Sequence, residues 1–526
     1  MTTHPWRDCN AIYQIYPRSF QDTNADGIGD IPGIISRLDY LKTLTDIIWL
    51  SPMYQSPQKD FGYDVSSFTD IAPEYGTMQD FERLISHAHA RGMKVFMDFV
   101  PNHTSDQHEW FKESRSSRDN PKRDWYVWCD SKNGAEPNNW VSLAGGKSWE
   151  FDEQTGQYYL HSWLKSQPDL NWENPAVRAA MNEAMRYWLN RGVDGFRVDA
   201  VWVMAKDPEL ADDPLRPGGD SLDYGGYLHT KCRNGARLNE YLGSMIETVA
   251  EYGGMLVIEY YSTPEFGDSY EQLYSLQSIN PAVCTVFFFD PLHWQFTARA
   301  MGEGIAAYLS GLPKGALPVF CFGNHDQTRI VTRFGGEAQA RLVTTLQLTL
   351  PGLPCVYNGE ELGMKDGYIP AGEGQDGFGS DGMMAGRDPE RTPMQWDDTD
   401  YAGFSTVKPW LPVSESYRTI NVAQESLQPE SMLALYRALL HLRRQSATLR
   451  QGQYTLLGCN NNILSYEVSD QSAAYGVMVN FNNANHEVLV QGGHIVCSSI
   501  MGNNANGLHG NVVLAPYEAI VIKKES

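Results

Sequence analysis

From Ala11 to about Leu350 the chain alternates short apolar runs that read as strands with amphipathic stretches that read as helices. That rhythm marks a parallel α/β sheet, because each parallel return needs a helical crossover packed on the sheet. The runs are Ala11–Tyr16, Ile47–Leu50, Lys94–Val100, Gly195–Asp199, Met255–Glu259, Thr285–Asp290, Val319–Gly323 and Leu353–Asn358. Eight such strands are what a closed TIM barrel requires. Asn174 and Pro175 supply an N-cap and first turn for a helix whose Val177, Met181, Ala184 and Trp188 recur at helical spacing, a stripe that belongs to the core.

Two polar interruptions break the rhythm. Between the third strand and Asn174 lie roughly 70 residues rich in Trp, Asn, Gly and Asp, too many for an ordinary loop, which reads as an inserted subdomain. After the eighth strand, Glu361 to Pro412 is long and rich in Gly, Asp and Pro, as expected of a lid over the barrel's C-terminal face. A helix carrying Leu435, Tyr436, Leu439 and Leu442 closes the barrel part, and from about Gln453 the pattern turns to strict alternation. The reading is a (β/α)8 barrel over residues 1–103 and 175–450, an inserted subdomain after strand 3 over 104–174, and a C-terminal antiparallel β-sandwich over 451–526.

Composition narrows the function. A formal charge of −23 speaks against nucleic acid or an anionic membrane as partner. A small neutral substrate fits better, taken up by a monomer or homodimer. The eight cysteines are scattered without the close pairs of a redox motif and read as reduced thiols. No signal-peptide pattern and no stretch of 18 apolar residues is present, so a cytoplasmic location is expected.

Ionisable residues gather at the C-terminal ends of the strands, where a barrel builds its site. Asp98, Asn102 and His103 lie in DFVPNH, and Arg197 and Asp199 in GFRVDA, two apart and so on one face. Glu259 ends MLVI, and Asn324, His325 and Asp326 end VFCFG. With no phosphate loop, serine elbow or Cys/His metal cluster, these groups suit acid–base and nucleophilic carboxylate chemistry, of which glycoside hydrolysis is the commonest case. Arg197 should keep Asp199 ionised as nucleophile, and the apolar strand end should hold Glu259 protonated as acid. Glu251 and Glu265 are less well placed for that role.

DFVPNH, GFRVDA, the IE of VIEYY and FGNHD, in this order, resemble the four signature regions of the α-amylase family of glycoside hydrolases. QPDLNW from Gln167, RTPMQWD from Arg391 and PWLPV from Pro409 are similar to motifs of its oligo-1,6-glucosidase and α-glucosidase subfamily. The resemblance implies Asp199 as nucleophile, Glu259 as general acid/base and Asp326 as the carboxylate that grips the sugar. His103, Arg197 and His325 would line the same subsite. Asp60 and Tyr63 would bind and stack on the terminal glucose, and Arg391 would pair with Asp60 to make the enzyme exo-acting. In much of the family a Gly precedes the acid/base Glu; here it is Ile258, with Tyr260 and Tyr261 following.

DTNADGIGD sets Asp22, Asn24, Asp26 and Asp30 at alternate positions with Gly27 sixth, like the start of an EF-hand loop without its final Glu. The resemblance implies a structural calcium, or magnesium, held there with help from the Ile28 carbonyl, and no organic cofactor. Phe151 or Trp163 could supply an aromatic wall. Ala200, which follows the nucleophile, resembles members that favour α-1,4 links, where Val accompanies α-1,6 preference. Isomaltase, sucrose- or trehalose-type hydrolase, glucosyltransferase and a non-catalytic scaffold related to the family are the other readings.

Overall fold

The computed structural model describes residues 6–525 apart from 222, 263–267, 380–385 and 501–508. Eight parallel strands close a barrel: β1 (Ile12–Ile15), β2 (Ile47–Leu50), β3 (Lys94–Phe99), β4 (Gly195–Val198), β5 (Met255–Ile258), β6 (Cys284–Phe288), β7 (Val319–Cys321) and β8 (Leu353–Tyr357). Each pairs with its sequence neighbours, and β1 closes on β8 through Ile12 opposite Cys355. The expected runs and the observed strands agree to within a residue or two at each end.

Both faces of these strands are buried, which is why they read as unbroken apolar runs. The period of two sorts the side chains. Ile12, Ile47, Trp49, Phe96, Met255, Val257, Phe287 and Val319 fill the barrel's interior. Tyr13, Ile48, Met97, Phe196, Val198, Leu256 and Ile258 face the helices. Gly195 opens the inner row of β4 because a Cβ there would meet the Met255 carbonyl at 2.3 Å and the Phe96 ring at 2.8 Å. The bulky Phe96 fills the floor that the glycine leaves.

The inner rows change character on rising through the barrel. In β4 the row runs Gly195, Arg197, Asp199; in β5 it runs Met255, Val257, Glu259; in β3 it runs Phe96, Asp98. Apolar layers below therefore carry an ionisable layer on top, set by strand periodicity alone.

Between β3 and β4 lie a helix, Glu109–Ser116, and a three-stranded sheet of Trp128–Cys129, Gln157–Leu160 and Trp149–Asp152, with Gln157–Leu160 in the middle. The helix Pro175–Leu189 follows, its N-cap Asn174 accepting from the Ala176 amide and its Val177, Met181 and Trp188 fully buried. Beyond the helix Met432–Gln445 come β9 (Gln453–Gly458), β10 (Ile463–Ser469), β11 (Ala474–Asn480), β12 (His486–Gln491), β13 (His494–Ser498), β14 (His509–Leu514) and β15 (Ala519–Lys523). One sheet has the order β9-β10-β11-β15-β13, and β12 pairs with β14 as a second layer. Leu464, Tyr466 and Val468 of β10 are fully buried, and the Tyr466 hydroxyl bonds Thr349 of the barrel helix Glu337–Thr349.

Candidate active site

A cavity of about 650 Å³ opens at the C-terminal face of the barrel. Asp60, Tyr63, His103, Asp199, Glu259 and Asp326 line it together, although they come from five separate loops or strand ends. Arg197, His325 and Arg391 lie just behind and hold these groups by hydrogen bonds.

Arg197 is the hub. Its Nη1 donates to Asp98 Oδ1 at 2.7 Å and to Asp199 Oδ1 at 2.6 Å, while Nη2 meets Glu259 Oε1 at 2.7 Å. The guanidinium is only 2% exposed, so this is a charged cluster taken out of water, stable only because each partner is satisfied. Glu259 Oε2 accepts a second bond, 2.7 Å, from the Ala200 amide. Ala200 sits in the left-handed region at φ 46°, ψ 40°, rare for a residue with a side chain, and this turn places its N–H beside Glu259.

Burial pushes the Asp199 and Glu259 carboxyls up together, against the pull of Arg197. Asp98 beneath them is raised to about 6, again by burial before Arg197 draws it down. Arg197, expected to keep Asp199 ionised, does pull it down, but the guanidinium is shared among three carboxylates and burial opposes that pull. Asp326 behaves differently. Burial would raise it, but His325, Arg387 and Arg391 together bring it well below the ordinary carboxylate range.

Tyr63 donates to Asp98 Oδ2 at 3.1 Å and lies parallel to the His325 ring, with centroids 5.5 Å apart. Burial keeps His325 neutral. Gln14 Nε2 sits 2.8 Å from His325 Nδ1, so the ring carries its proton on Nε2, which faces the Tyr63 hydroxyl at 2.7 Å and Asp326 at 3.4 Å. His103 is likewise neutral through burial, and its Nε2 reaches the Tyr63 carbonyl at 3.2 Å.

The ends of the pocket differ from expectation in two places. Asp60 is bound not by Arg391 but by Arg387, whose Nη2 donates to Asp60 Oδ1 at 2.8 Å and whose Nη1 donates to Asp326 Oδ1 at 3.1 Å. Arg391 stands one 3-10 turn on; it donates to Asp326 Oδ1 at 2.7 Å and to the His325 carbonyl at 2.8 Å. Arg387 is held in turn by Asp376, with Nε to Oδ2 at 2.8 Å. Sequence reasoning missed Arg387, whose only signal was a second arginine in GRDPERT, four places before Arg391. Of the two aromatic candidates, Trp163 lines the cavity, packed edge-on to Trp202 and Phe378, whereas Phe151 is 47% exposed and not part of the lining.

Tyr261 also lines the cavity, stacked on Phe289 at 4.6 Å. Gln167 donates to Asp60 Oδ2 at 2.9 Å, so the QPDLNW segment supports the pocket directly. Glu251 pairs with Arg186 on an exposed helix face, away from the cavity, and Glu265 lies outside the described residues.

Residues 22–30 form a tight loop below the lid. Asp22 Oδ1 accepts from the Asn24 and Ala25 amides, Asn24 Oδ1 from the Asp26 amide, and Asp26 Oδ1 from the Ile28 amide, so each side-chain oxygen closes a turn of the loop. Asp30 caps the helix Ile31–Ser36 by accepting from the Gly33 amide at 2.6 Å and also receives the Thr23 amide at 2.8 Å. The donors are all oxygen, as a hard divalent cation requires.

The catalytic-domain model of α-amylase matches residues 14–452. The chain belongs to the α-amylase family of glycoside hydrolases. It is 40% identical to an oligo-1,6-glucosidase of Halalkalibacterium halodurans over 99% of both chains, and 38% identical to an α-glucosidase of Pediococcus pentosaceus over 91% of this chain and 92% of that one. Among solved structures, an α-glucosyl transfer enzyme, XgtA, superimposes with a TM-score of 0.92 at 35% identity over the full length of both. Trehalulose synthase MutB does so with a TM-score of 0.90 at 35% identity, covering 99% of this chain and all of the other.

Proposed function

We propose that this α-amylase family member is a retaining, exo-acting α-glucosidase that releases terminal glucose from short oligosaccharides, with α-1,4 links favoured. The reading rests on one observation: Asp199 and Glu259 face one cavity and share a single guanidinium, so both carboxyls can act on one sugar ring, as a retaining pair must.

In the first step the Asp199 carboxylate attacks C1 of the bound glucosyl unit while Glu259, protonated, gives its proton to the departing glycosidic oxygen. The C1–O bond breaks and a glucosyl ester of Asp199 forms. In the second step Glu259, now the base, takes a proton from water, whose oxygen attacks C1 and frees Asp199. One proton shared by the pair is what the first step consumes, and burial of both carboxyls favours its retention. Asp326, ionised between Arg387 and Arg391, grips the ring hydroxyls. The Asp60–Arg387 pair stops the pocket behind one ring, which supports exo action.

A sugar acceptor in place of water would turn hydrolysis into transfer. The aromatic lining of Trp163, Trp202, Tyr261 and Phe378 suits such an acceptor, and two structural relatives are named as transferring or isomerising enzymes. We also propose that Asp22, Asn24, Asp26, Asp30 and the Ile28 carbonyl hold a calcium or magnesium ion. All eight cysteines are free thiols, and among the described residues no helix is long and apolar enough to cross a membrane.

Incubation with a fluorinated glucosyl fluoride, which forms the ester quickly and hydrolyses slowly, should add one sugar mass to the peptide containing Asp199. Asp199→Asn should abolish both labelling and turnover of maltose, a loss of at least about 10⁴-fold. Label on another residue, or undiminished turnover by the variant, would reject the mechanism. A native protein that cleaves nothing would leave the scaffold reading. Isomaltose cleaved far faster than maltose would overturn the α-1,4 preference.

A further inference from the structure

A second set of converging ligands lies outside the cluster around Arg197, in the long segment between β4 and the helix Leu238–Ala250. Asp213, His229 and Cys232 each turn one ligand atom toward a common point, with all three atoms within 4.8 Å of one another. Cys232 Sγ is 3.3 Å from His229 Nδ1, and Asp213 Oδ2 is 3.7 Å from the same nitrogen. Ligands of a tetrahedral zinc ion, with bonds of about 2.0–2.3 Å, stand roughly 3.4–3.7 Å apart. The Cys232–His229 and Asp213–His229 separations match that spacing closely.

The surroundings orient each ligand. His229 Nε2 donates to the Tyr224 carbonyl at 2.7 Å, which leaves Nδ1 as the acceptor that faces the thiol and the carboxylate. The Lys231 amide donates to Asp213 Oδ1 at 2.7 Å, which turns Oδ2 inward. Oδ2 is buried with no N–H or O–H donor in hydrogen-bond range, on a side chain only 1% exposed. A buried carboxylate oxygen whose one near donor is the weak S–H of Cys232 is poorly satisfied, and such an oxygen invites a cation. Outer hydrogen bonds to a carbonyl and an amide are the usual means by which proteins fix metal-binding imidazole and carboxylate groups.

A hydrolytic triad would use the two ring nitrogens separately, one for the nucleophile and one for the acid. Here the thiol and the carboxylate both face Nδ1, an arrangement that serves a point between them and no proton relay. We propose that Asp213, His229 and Cys232 bind one zinc-type divalent ion, with a fourth position left for water.

Binding displaces the thiol proton: the Cys232 S–H bond breaks, the sulfur pair is given to the metal, and the proton leaves to solvent. Burial and Asp213 hold the unmetallated thiol well above its usual pKa, so the neutral form is the resting state. The site ties the loop to the inserted subdomain. Asn139 Nδ2 donates to the Asp213 carbonyl at 2.9 Å, and Cys232 packs against the Trp140–Trp149 cluster. The next residue, Arg233, and Tyr224 both line the active-site cavity. The ion would thus fasten the wall of that cavity from behind.

Cobalt makes the test direct, because Co²⁺ bound to thiolate shows a charge-transfer band that oxygen-only sites lack. The reduced full-length protein, dialysed against Co²⁺, should take up one ion with this band, and Zn²⁺ should abolish it by displacement. Cys232→Ser should remove the band, and Asp213→Asn should weaken Co²⁺ binding at least tenfold. A wild-type protein without the band, or a band that survives Cys232→Ser, overturns the proposal. A readout that needs no variant is native alkylation followed by peptide mass analysis. Zn²⁺ should slow modification of Cys232 at least tenfold while leaving Cys9, Cys129 and Cys459 unchanged, and equal rates at Cys232 with and without Zn²⁺ would also overturn it.

Discussion

Ala200 is a residue with a side chain held at φ 46°, one place after Asp199, and its amide is the second partner of Glu259. A β-branched side chain tolerates that backbone poorly. Ala200→Val should therefore cost about 1–2 kcal/mol of stability, seen as a lower Tm, and should disturb the bond that steadies Glu259. The ratio of kcat/KM for maltose over isomaltose should fall with it, because the added methyls crowd the space beside C1. Glu360 shows the same economy of space. Its Oε1 would lie 1.8 Å from any Cβ placed on Gly323, so the glycine ahead of Asn324, His325 and Asp326 is there to admit a carboxyl. Gly323→Ala should expel that carboxyl and disturb the Asp326 strand end, reducing activity without touching a group that contacts substrate.

At the scale of elements, the long segment after β8 carries Arg387, which pairs with both Asp60 and Asp326. Removing Arg387 leaves the buried Asp60 without its cation, while the part-buried Asp326 keeps Arg391. Arg387→Ala should lower kcat/KM for maltose by more than about 10²-fold, and any residual activity should shift toward longer maltooligosaccharides as the closed end opens. The loop 22–30 lies under the same segment: Asp22 Oδ2 accepts from Ser405 Oγ at 2.6 Å, and its amide donates to the Phe404 carbonyl. Chelation should lower Tm, and added Ca²⁺ or Mg²⁺ should restore it; a melting curve indifferent to chelator would argue against an ion there. What could be read from the sequence follows from the same division. The strands were visible because burial on two faces leaves no polar residue inside them, and the ionisable strand ends because a period of two fixes their direction. Asp199 and Glu259 step out just past the last paired residues, Val198 and Ile258, which is where apolar runs stop. Arg387 was not visible, because its bond to Asp60 spans 327 positions and begins in a loop with no periodicity to project. The Asp213, His229 and Cys232 cluster was not legible either, where the sequence reads as having no Cys/His metal cluster, because Asp213 stands 16 residues upstream of His229 and only the folded loop brings it close.

Across the whole molecule, buried charge ties distant parts together. Arg443 is fully buried, and its guanidinium donates to the carbonyls of Leu348, Leu350 and Gly352 at 2.7–2.9 Å and to that of Asn10 at 3.4 Å. The last barrel helix is thereby fixed to both ends of the sheet closure. Arg443→Met should destabilise the protein by about 3–5 kcal/mol in urea unfolding, since several carbonyls lose their only strong donor. Glu360 gives the stability a pH dependence. Burial raises its carboxyl to about 7 from an ordinary 4.5, so the neutral form favours the fold. That contribution, about 3 kcal/mol, is complete below about pH 4.5 and is lost as pH rises through 7. Glu360→Gln, neutral at every pH, should flatten the decline in Tm between pH 5 and 8; an unchanged slope would place the titration elsewhere.

On the proposed exo reading, Arg387 standing between Asp60 and Asp326 would make the chamber a cul-de-sac with one doorway. Traffic through it would then be sequential: the outer fragment leaves first, and the trapped monosaccharide follows only afterwards. A long chain would not be threaded along and clipped repeatedly in one visit, so each cut would require a fresh encounter, and glucose accumulating in solution should compete for the entrance it has just left.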